Sequence, residues 1–321
     1  MAFTKLVCSF LLAGLLAACS QPQTYDSLYK VKQGPYDVLI YDDIVLTDPV
    51  HPRDVRFRVM TPAAEEGKFP VIVHSHGGFC PDTYDAFTAH WATQGYIVIA
   101  PYHPDSPHNA EKPDMSIIVQ RRVRDLSFAL DALDDIVAAT EFMGEADGQS
   151  IAVTGHSFGA GMALMKTGLF MLDEYKAPWS PGLDERFSAA VYLSAPGGEE
   201  GVGNAFADLR VPFMATGGTL DKGRLDPGDM TLADFRSQVF LKAPPGDKYL
   251  VILENADHYL GGLICNAERG GDPDPDGIEI FRAMTTAFLD AYLKDDAAAQ
   301  AFLRNADVAA LTAGRADYRQ K

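Results

Sequence analysis

Positive charge is scarce in this chain. Its 321 residues hold 27 Lys and Arg against 44 Asp and Glu, a formal net charge of −17. No basic stripe exists to neutralise phosphates, which excludes nucleic acid as a partner. The same balance disfavours electrostatic attraction to anionic lipid, and the acidity reads as plain solubility. Long apolar runs are also missing. The one candidate, Leu6–Ala18, is too short to span a bilayer comfortably, and nothing after it is long enough. No internal repeat and no shift in composition marks off a second domain. Cysteine is sparse, with four in all: Cys8, Cys19, Cys80 and Cys265. What the chain does have is 47% hydrophobic residues, enough for a sizeable core, so general disorder is excluded.

The N-terminus reads as a targeting segment. Met1–Lys5 is a short basic start, and the apolar run ends in Leu16-Ala17-Ala18-Cys19. This tetrapeptide resembles the lipobox of bacterial lipoproteins. The resemblance implies a signal peptide over residues 1–18, cleavage before Cys19 and a lipid on that cysteine. Acyl chains then anchor the protein in place of a spanning helix. Ser20 follows where an aspartate would retain the protein at the inner membrane, so the same resemblance implies the outer membrane. Residues 19–35 are polar and without period, a tether. Export places Cys80 and Cys265 in an oxidising compartment, where the two can bridge.

Beyond the tether, short apolar runs alternate with helical patterns. "FPVIVH" (69–74), "YIVIA" (96–100) and "SIAVT" (150–154) read as buried strands, as do 189–193, 212–216 and 249–253. Val55–Met60 alternates like a strand near an edge. Val123, Leu126, Leu130, Leu133 and Val137 recur at three- and four-residue steps, an amphipathic helix, and Ile278–Leu293 reads as a long final helix. Alternating strands and helices predict βαβ units, hence a mostly parallel central sheet with helices on both faces. The predicted catalytic domain is residues 36–305, with 306–321 left as a tail. Ligand chemistry in such a sheet sits at the carboxyl ends of the strands.

At one such end the chain reads Gly155-His156-Ser157-Phe158-Gly159, the pattern G-x-S-x-G between a strand and a helix. A serine hydroxyl cannot attack a carbonyl unaided; it needs a base, and the base needs an orienting acid. In this architecture the order is serine, acid, histidine. The first carboxylate past "VPFMATG" is Asp221, with Asp226 and Asp229 as runners-up. His258, directly after the strand 249–253, is the last histidine in the chain. The developing oxyanion needs two backbone N–H groups. One falls to Phe158. The other falls to the loop His74-Ser75-His76-Gly77-Gly78-Phe79, with Gly78 preferred and Phe79 second. Cys80 and Cys265 lie in the two loops that must approach Ser157, which makes them candidates for a disulfide.

"HSHGG", "GHSFGAG", "GGTLD" and "NADHYLGG" together resemble the α/β-hydrolases, nearest the dienelactone hydrolase-like and platelet-activating-factor acetylhydrolase-like esterases. The resemblance implies a cofactor-free serine hydrolase acting on a small-molecule or lipid-like carboxylic ester. The same triad also serves amidases, peptidases and thioesterases, and a non-catalytic surface lipoprotein that binds a ligand on this fold is the rival of another class. Other motifs carry less. His74 and His76 could face one way on a strand, but His76 belongs to the oxyanion turn, so no metal site is assigned. His103, Asp105 and His108 in "PYHPDSPH" read as a proline-stiffened loop shaping the pocket. Asp272–Gly277 mimics the start of a calcium loop, yet Ala283 stands where a bidentate glutamate is required.

Overall fold

The computed structural model describes residues 25–321 except 110, 112, 170–175, 178–179, 181 and 198–204. Cys19 and the segment 1–18, expected to be a signal peptide, lie outside the described residues. The chain runs β1 (Val38–Asp48), β2 (Arg53–Pro62), β3 (Lys68–Ser75), α1 (Asp85–Thr93), β4 (Ile97–Pro101), α2 (Met115–Asp131), α3 (Leu133–Ala138), β5 (Glu145–His156) and α4 (Phe158–Lys166). Then follow β6 (Ala189–Leu193), β7 (Phe213–Leu220), α5 (Leu232–Lys242), β8 (Lys248–Asp257), α6 (Pro275–Leu293), α7 (Ala297–Asn305), α8 (Val308–Leu311) and β9 (Ala316–Gln320).

The strands form one nine-stranded sheet in the order β1-β2-β4-β3-β5-β6-β7-β8-β9. From β4 to β8 all pairs are parallel; β1, β2 and β9 run antiparallel to their neighbours. Parallel strands buried on both faces need apolar side chains at every position. On β3, Val71 and Val73 enter one core and Ile72 the other; on β6, Ala190 and Tyr192 oppose Ala189, Val191 and Leu193. Helices α2, α4 and α5 cover the first face, and α1 and α6 the second. This is the α/β-hydrolase fold.

The structure differs from the sequence reading at its margins. Residues 306–321 do not form a loose tail: Val308–Leu311 is helical, and β9 pairs with β8 in register from Tyr249↔Gln320 to Leu253↔Ala316. β9 is short and polar on an edge, so it has no buried alternation to read. β1 escaped notice because a bulge between Tyr41 and Ile44 breaks its period. The single helix expected over 123–137 is interrupted at Ala132, where φ is −107°. Residues 25–34, read as tether, are docked. Tyr25 and Leu28 are buried, and Tyr29 and Lys30 both donate to Oδ2 of Asp290 in α6, at 2.9 and 2.6 Å.

Candidate active site

Between β5 and α4 the backbone turns through Ser157 at φ 55°, ψ −115°. A non-glycine residue held at positive φ is strained, and strain of this kind is kept where the surroundings over-determine it. Two neighbours explain the glycines. A Cβ on Gly155 would stand 2.4 Å from the Gly159 carbonyl, and one on Gly159 would stand 2.0 Å from the Ser75 oxygen. The Ser157 N–H is fixed by Leu193 O at 2.9 Å. The elbow is thus wedged between the ends of β3 and β6, and the Ser157 side chain stays partly exposed.

His258 follows β8 directly, and its Nε2 lies 2.8 Å from Ser157 Oγ. Its Nδ1 lies 2.6 Å from Asp221 Oδ1, just past the end of β7. Burial pushes the Asp221 pKa up. The Arg236 guanidinium, the bond from His258 and the bond from Ser194 Oγ at 2.6 Å outweigh it, and the carboxyl is held down to about 2. An ionised Asp221 only accepts hydrogen bonds. His258 therefore carries its proton on Nδ1 and offers the Nε2 lone pair to the Ser157 hydroxyl. Asp226 and Asp229 are exposed, and Asp226 accepts from Gly228 N in a local turn.

Arg236 is the first residue that sequence reasoning missed. It projects from α5, stands 3.0 Å from Asp221 Oδ1 and donates through Nη1 to the carbonyls of Ser194 and Ala195. Nothing in its local pattern sets it apart from a solvated helical arginine, yet it is 3% exposed.

The loop after β3 is held from beneath by Arg122 of α2. Arg122 donates to His76 O at 2.7 Å and to Gly77 O at 3.0 Å, and it pairs with both oxygens of Asp105 at 2.7 Å. A peptide group is planar and trans, so fixing the Gly77 carbonyl aims the Gly78 N–H the opposite way. Asp105 Oδ2 accepts from Phe79 N at 3.1 Å, which occupies that donor. Of the two donors weighed from sequence, Gly78 is therefore the available one. The Arg122 guanidinium also lies 4.6 Å from the centre of the Phe158 ring, so one buried arginine touches both sides of the expected oxyanion position. Phe158 opens α4, where backbone N–H groups have no partner within the helix.

A second chain ties three loops together. Gly77 N donates to Tyr84 Oη at 3.0 Å, and Tyr84 Oη lies 2.8 Å from His156 Nδ1. His156 Nε2 in turn meets His258 O at 3.0 Å. Burial depresses the His156 pKa well below the usual value, so it is neutral, donating from Nε2 and accepting at Nδ1. Cys80 and Cys265 are joined in a disulfide with Cα atoms 4.9 Å apart. Gly77 sits against it: a Cβ there would be 2.9 and 3.1 Å from the two sulfurs.

His103 and Asp105 are buried, and Asp105 holds the loop after β3 through Phe79 N and Arg122. His103 is fully buried, with Nε2 2.9 Å from Ser75 Oγ and Nδ1 2.8 Å from Asp125 Oδ2, and Asp125 pairs with Arg53. His108 bonds to Asp82 at the surface. In the stretch that mimics a calcium loop, Asp274 instead caps α6 by accepting from Gly277 N at 2.9 Å and pairs with Arg315 at 2.6 Å. Among the described residues no group of three or more His, Cys, Asp or Glu is arranged to hold a metal ion.

A search of curated proteins finds no match to this chain. The family model described as Chlorophyllase matches residues 30–171, which spans the loop after β3, α2 and the Ser157 elbow but not Asp221 or His258. By fold the chain is an α/β-hydrolase, similar over that stretch to a family of ester hydrolases.

Proposed function

We propose that the protein is a serine hydrolase that cleaves carboxylic esters through an acyl-enzyme, and that the mature chain is held at a bacterial outer membrane by lipid on Cys19. The hydrogen-bonded series Ser157–His258–Asp221 on a strained, partly exposed elbow carries the reading of the chemistry. His258 takes the Ser157 proton as Oγ attacks the carbonyl carbon. Asp221 stabilises the imidazolium that forms, and the N–H groups of Gly78 and Phe158 hold the oxyanion. When the tetrahedral adduct collapses, His258 Nε2 returns that proton to the departing alkoxide. Water, deprotonated by the same nitrogen, then attacks the acyl carbon, and the carboxylic acid leaves with Ser157 restored. The likeness to dienelactone hydrolase-like and acetylhydrolase-like esterases belongs to this proposal, as does a catalytic domain that extends beyond 36–305 to take in the docked residues 25–34 and β9. The double glycine of the oxyanion loop, where the acetylhydrolases carry a bulkier residue, leaves room for varied acyl groups.

The test is a fluorophosphonate probe together with a p-nitrophenyl ester series. Wild type should label on Ser157 and turn over ester. Ser157→Ala should lose labelling and at least about three orders of magnitude in kcat, as when a triad acts as a unit. Its thermal midpoint should hardly move. Undiminished turnover in Ser157→Ala would sink the assignment. Parallel amide and thioester substrates decide the bond class.

A further inference from the structure

The N-terminal segment and the site approach the same end of the molecule. Asp274 N donates to Leu260 O at 3.2 Å, two residues past His258, so α6 begins beside the proposed base. Tyr25 Oη donates to Asp276 in the first turn of α6, at 3.3 Å. The Tyr25 side chain is buried in the same core as Cys80, Tyr84, Leu260 and Ile264. From there the chain descends α6, and Lys30 reaches Asp290 about four turns, some 21 Å, farther along. Traced back toward the N-terminus, the described chain thus leaves the fold at the carboxyl ends of the parallel strands. Only six residue steps separate Tyr25 from Cys19, a reach of at most about 20 Å when fully extended.

That end carries exposed apolar side chains around Ser157. Phe79 (49% exposed) follows Gly78. Leu220 (54%) precedes Asp221, and Leu225 (54%) lies in the loop beyond it. Leu263 (37%) stands between His258 and Cys265. The Arg224 guanidinium lies 5.8 Å from the Phe79 ring centre and brings two of these loops together. Single exposed apolar residues need no explanation, but these four all stand at the end of β7 or in loops that follow β3, β7 and β8, at one end of the sheet. Lys222 and Arg224 beside Leu225 are exposed, long cationic side chains suited to the headgroup level of a bilayer.

We propose that this rim seats on the lipid surface to which Cys19 is fixed, so that the mouth opens toward the bilayer and takes apolar esters from it. The inference rests on the reading above, both the anchor and the hydrolase. The short tether supplies the proximity, and the apolar rim supplies the contact. The lipidated chain, having lost Lys5 with residues 1–18, is strongly acidic, so attraction to anionic lipid is not needed and a zwitterionic surface suffices.

The test uses the full lipidated chain in phosphatidylcholine vesicles whose acyl chains carry bromine, a short-range quencher of tryptophan. Leu225→Trp places the probe on the rim. Met143→Trp places it just before β5, at the amino end of the sheet, where Met143 is 72% exposed. Relative to wild type, the added Leu225→Trp emission should fall at least twofold and the Met143→Trp emission should not change. Equal quenching of both, or of neither in protein that floats with the vesicles, would overturn the orientation. A chain that fails to float removes the anchor and the orientation with it. In Leu225→Asp/Leu263→Asp, turnover of a vesicle-embedded long-chain ester relative to a soluble short one should drop about tenfold; an unchanged ratio would overturn the docking role. Fluorophosphonate labelling of the same samples reports the hydrolase reading separately: no label with rim quenching intact leaves the orientation standing and refutes the ester chemistry.

Discussion

Replacing Cys80 and Cys265 together by alanine removes a crosslink between residues 185 apart in sequence. In the chain-entropy account the closed loop costs the unfolded state about 18 cal/mol/K, or about 5 kcal/mol at room temperature. A described chain of this size unfolds with an entropy of about 0.6 kcal/mol/K, so the thermal midpoint should fall by about 8 °C. A functional consequence follows from Gly77. A Cβ on it would stand 2.9 and 3.1 Å from the two sulfurs, its N–H bonds Tyr84 and its carbonyl bonds Arg122. Loss of the disulfide frees one of the three restraints on the peptide that aims Gly78. We expect kcat on a soluble p-nitrophenyl ester to fall about tenfold, with a smaller change in KM, because a loosened oxyanion donor acts in the transition state. Differential scanning calorimetry and initial-rate kinetics on the oxidised wild type and the double variant are the assay. A midpoint shift under about 2 °C would refute the loop-closure reasoning. A full shift with unchanged kcat would show a staple that does not position the oxyanion loop.

Three further outcomes follow from the site. Asp221→Asn should lower kcat by roughly three to four orders of magnitude, because the amide no longer fixes the His258 tautomer; stopped-flow ester kinetics check it. Arg122→Lys keeps a charge but loses the planar fork that holds His76 O, Gly77 O and Asp105. It should lower kcat about 10- to 100-fold with little change in KM and weaken a trifluoromethyl ketone in proportion, whereas parallel weakening of a non-reactive substrate analogue would point to general damage. Lys166 is buried and bonded to Ser127 Oγ; burial lowers its pKa to about 7, against the pull of Asp184. Its folded value lies below the ordinary one of 10.5, so the unfolded chain binds more protons between those values. Wild-type stability then rises with pH in that window by up to about 1.4 kcal/mol per unit. Any advantage of Lys166→Met in thermal midpoint should therefore shrink from pH 7 to pH 9, and a constant difference would contradict this.

What could be read from sequence was whatever chain order dictates. Ser157, Asp221 and His258 each stand first past a parallel strand, and the strands are legible because both faces are buried. The edges were not. β1 is broken by a bulge, and β9 consists of Ala-Asp-Tyr-Arg-Gln, in which only Ala316 is buried. Arg122, Arg236 and Tyr84 escaped for another reason. Each reaches the site from an element whose own pattern explains it as a helix-face or core residue, and its importance lies in contacts to residues 7 to 72 positions away.

The buried series Ser75–His103–Asp125 repeats the connectivity of Ser157–His258–Asp221, nitrogen for nitrogen. A geometric template would return both. Ser75 is wholly enclosed beneath Gly159, while Ser157 is partly open. The two series therefore share their connectivity and differ in access: only Ser157 has a doorway to solvent. The enclosed copy is an internal control: any reagent that modifies Ser75 in the native protein has reported unfolding rather than reactivity.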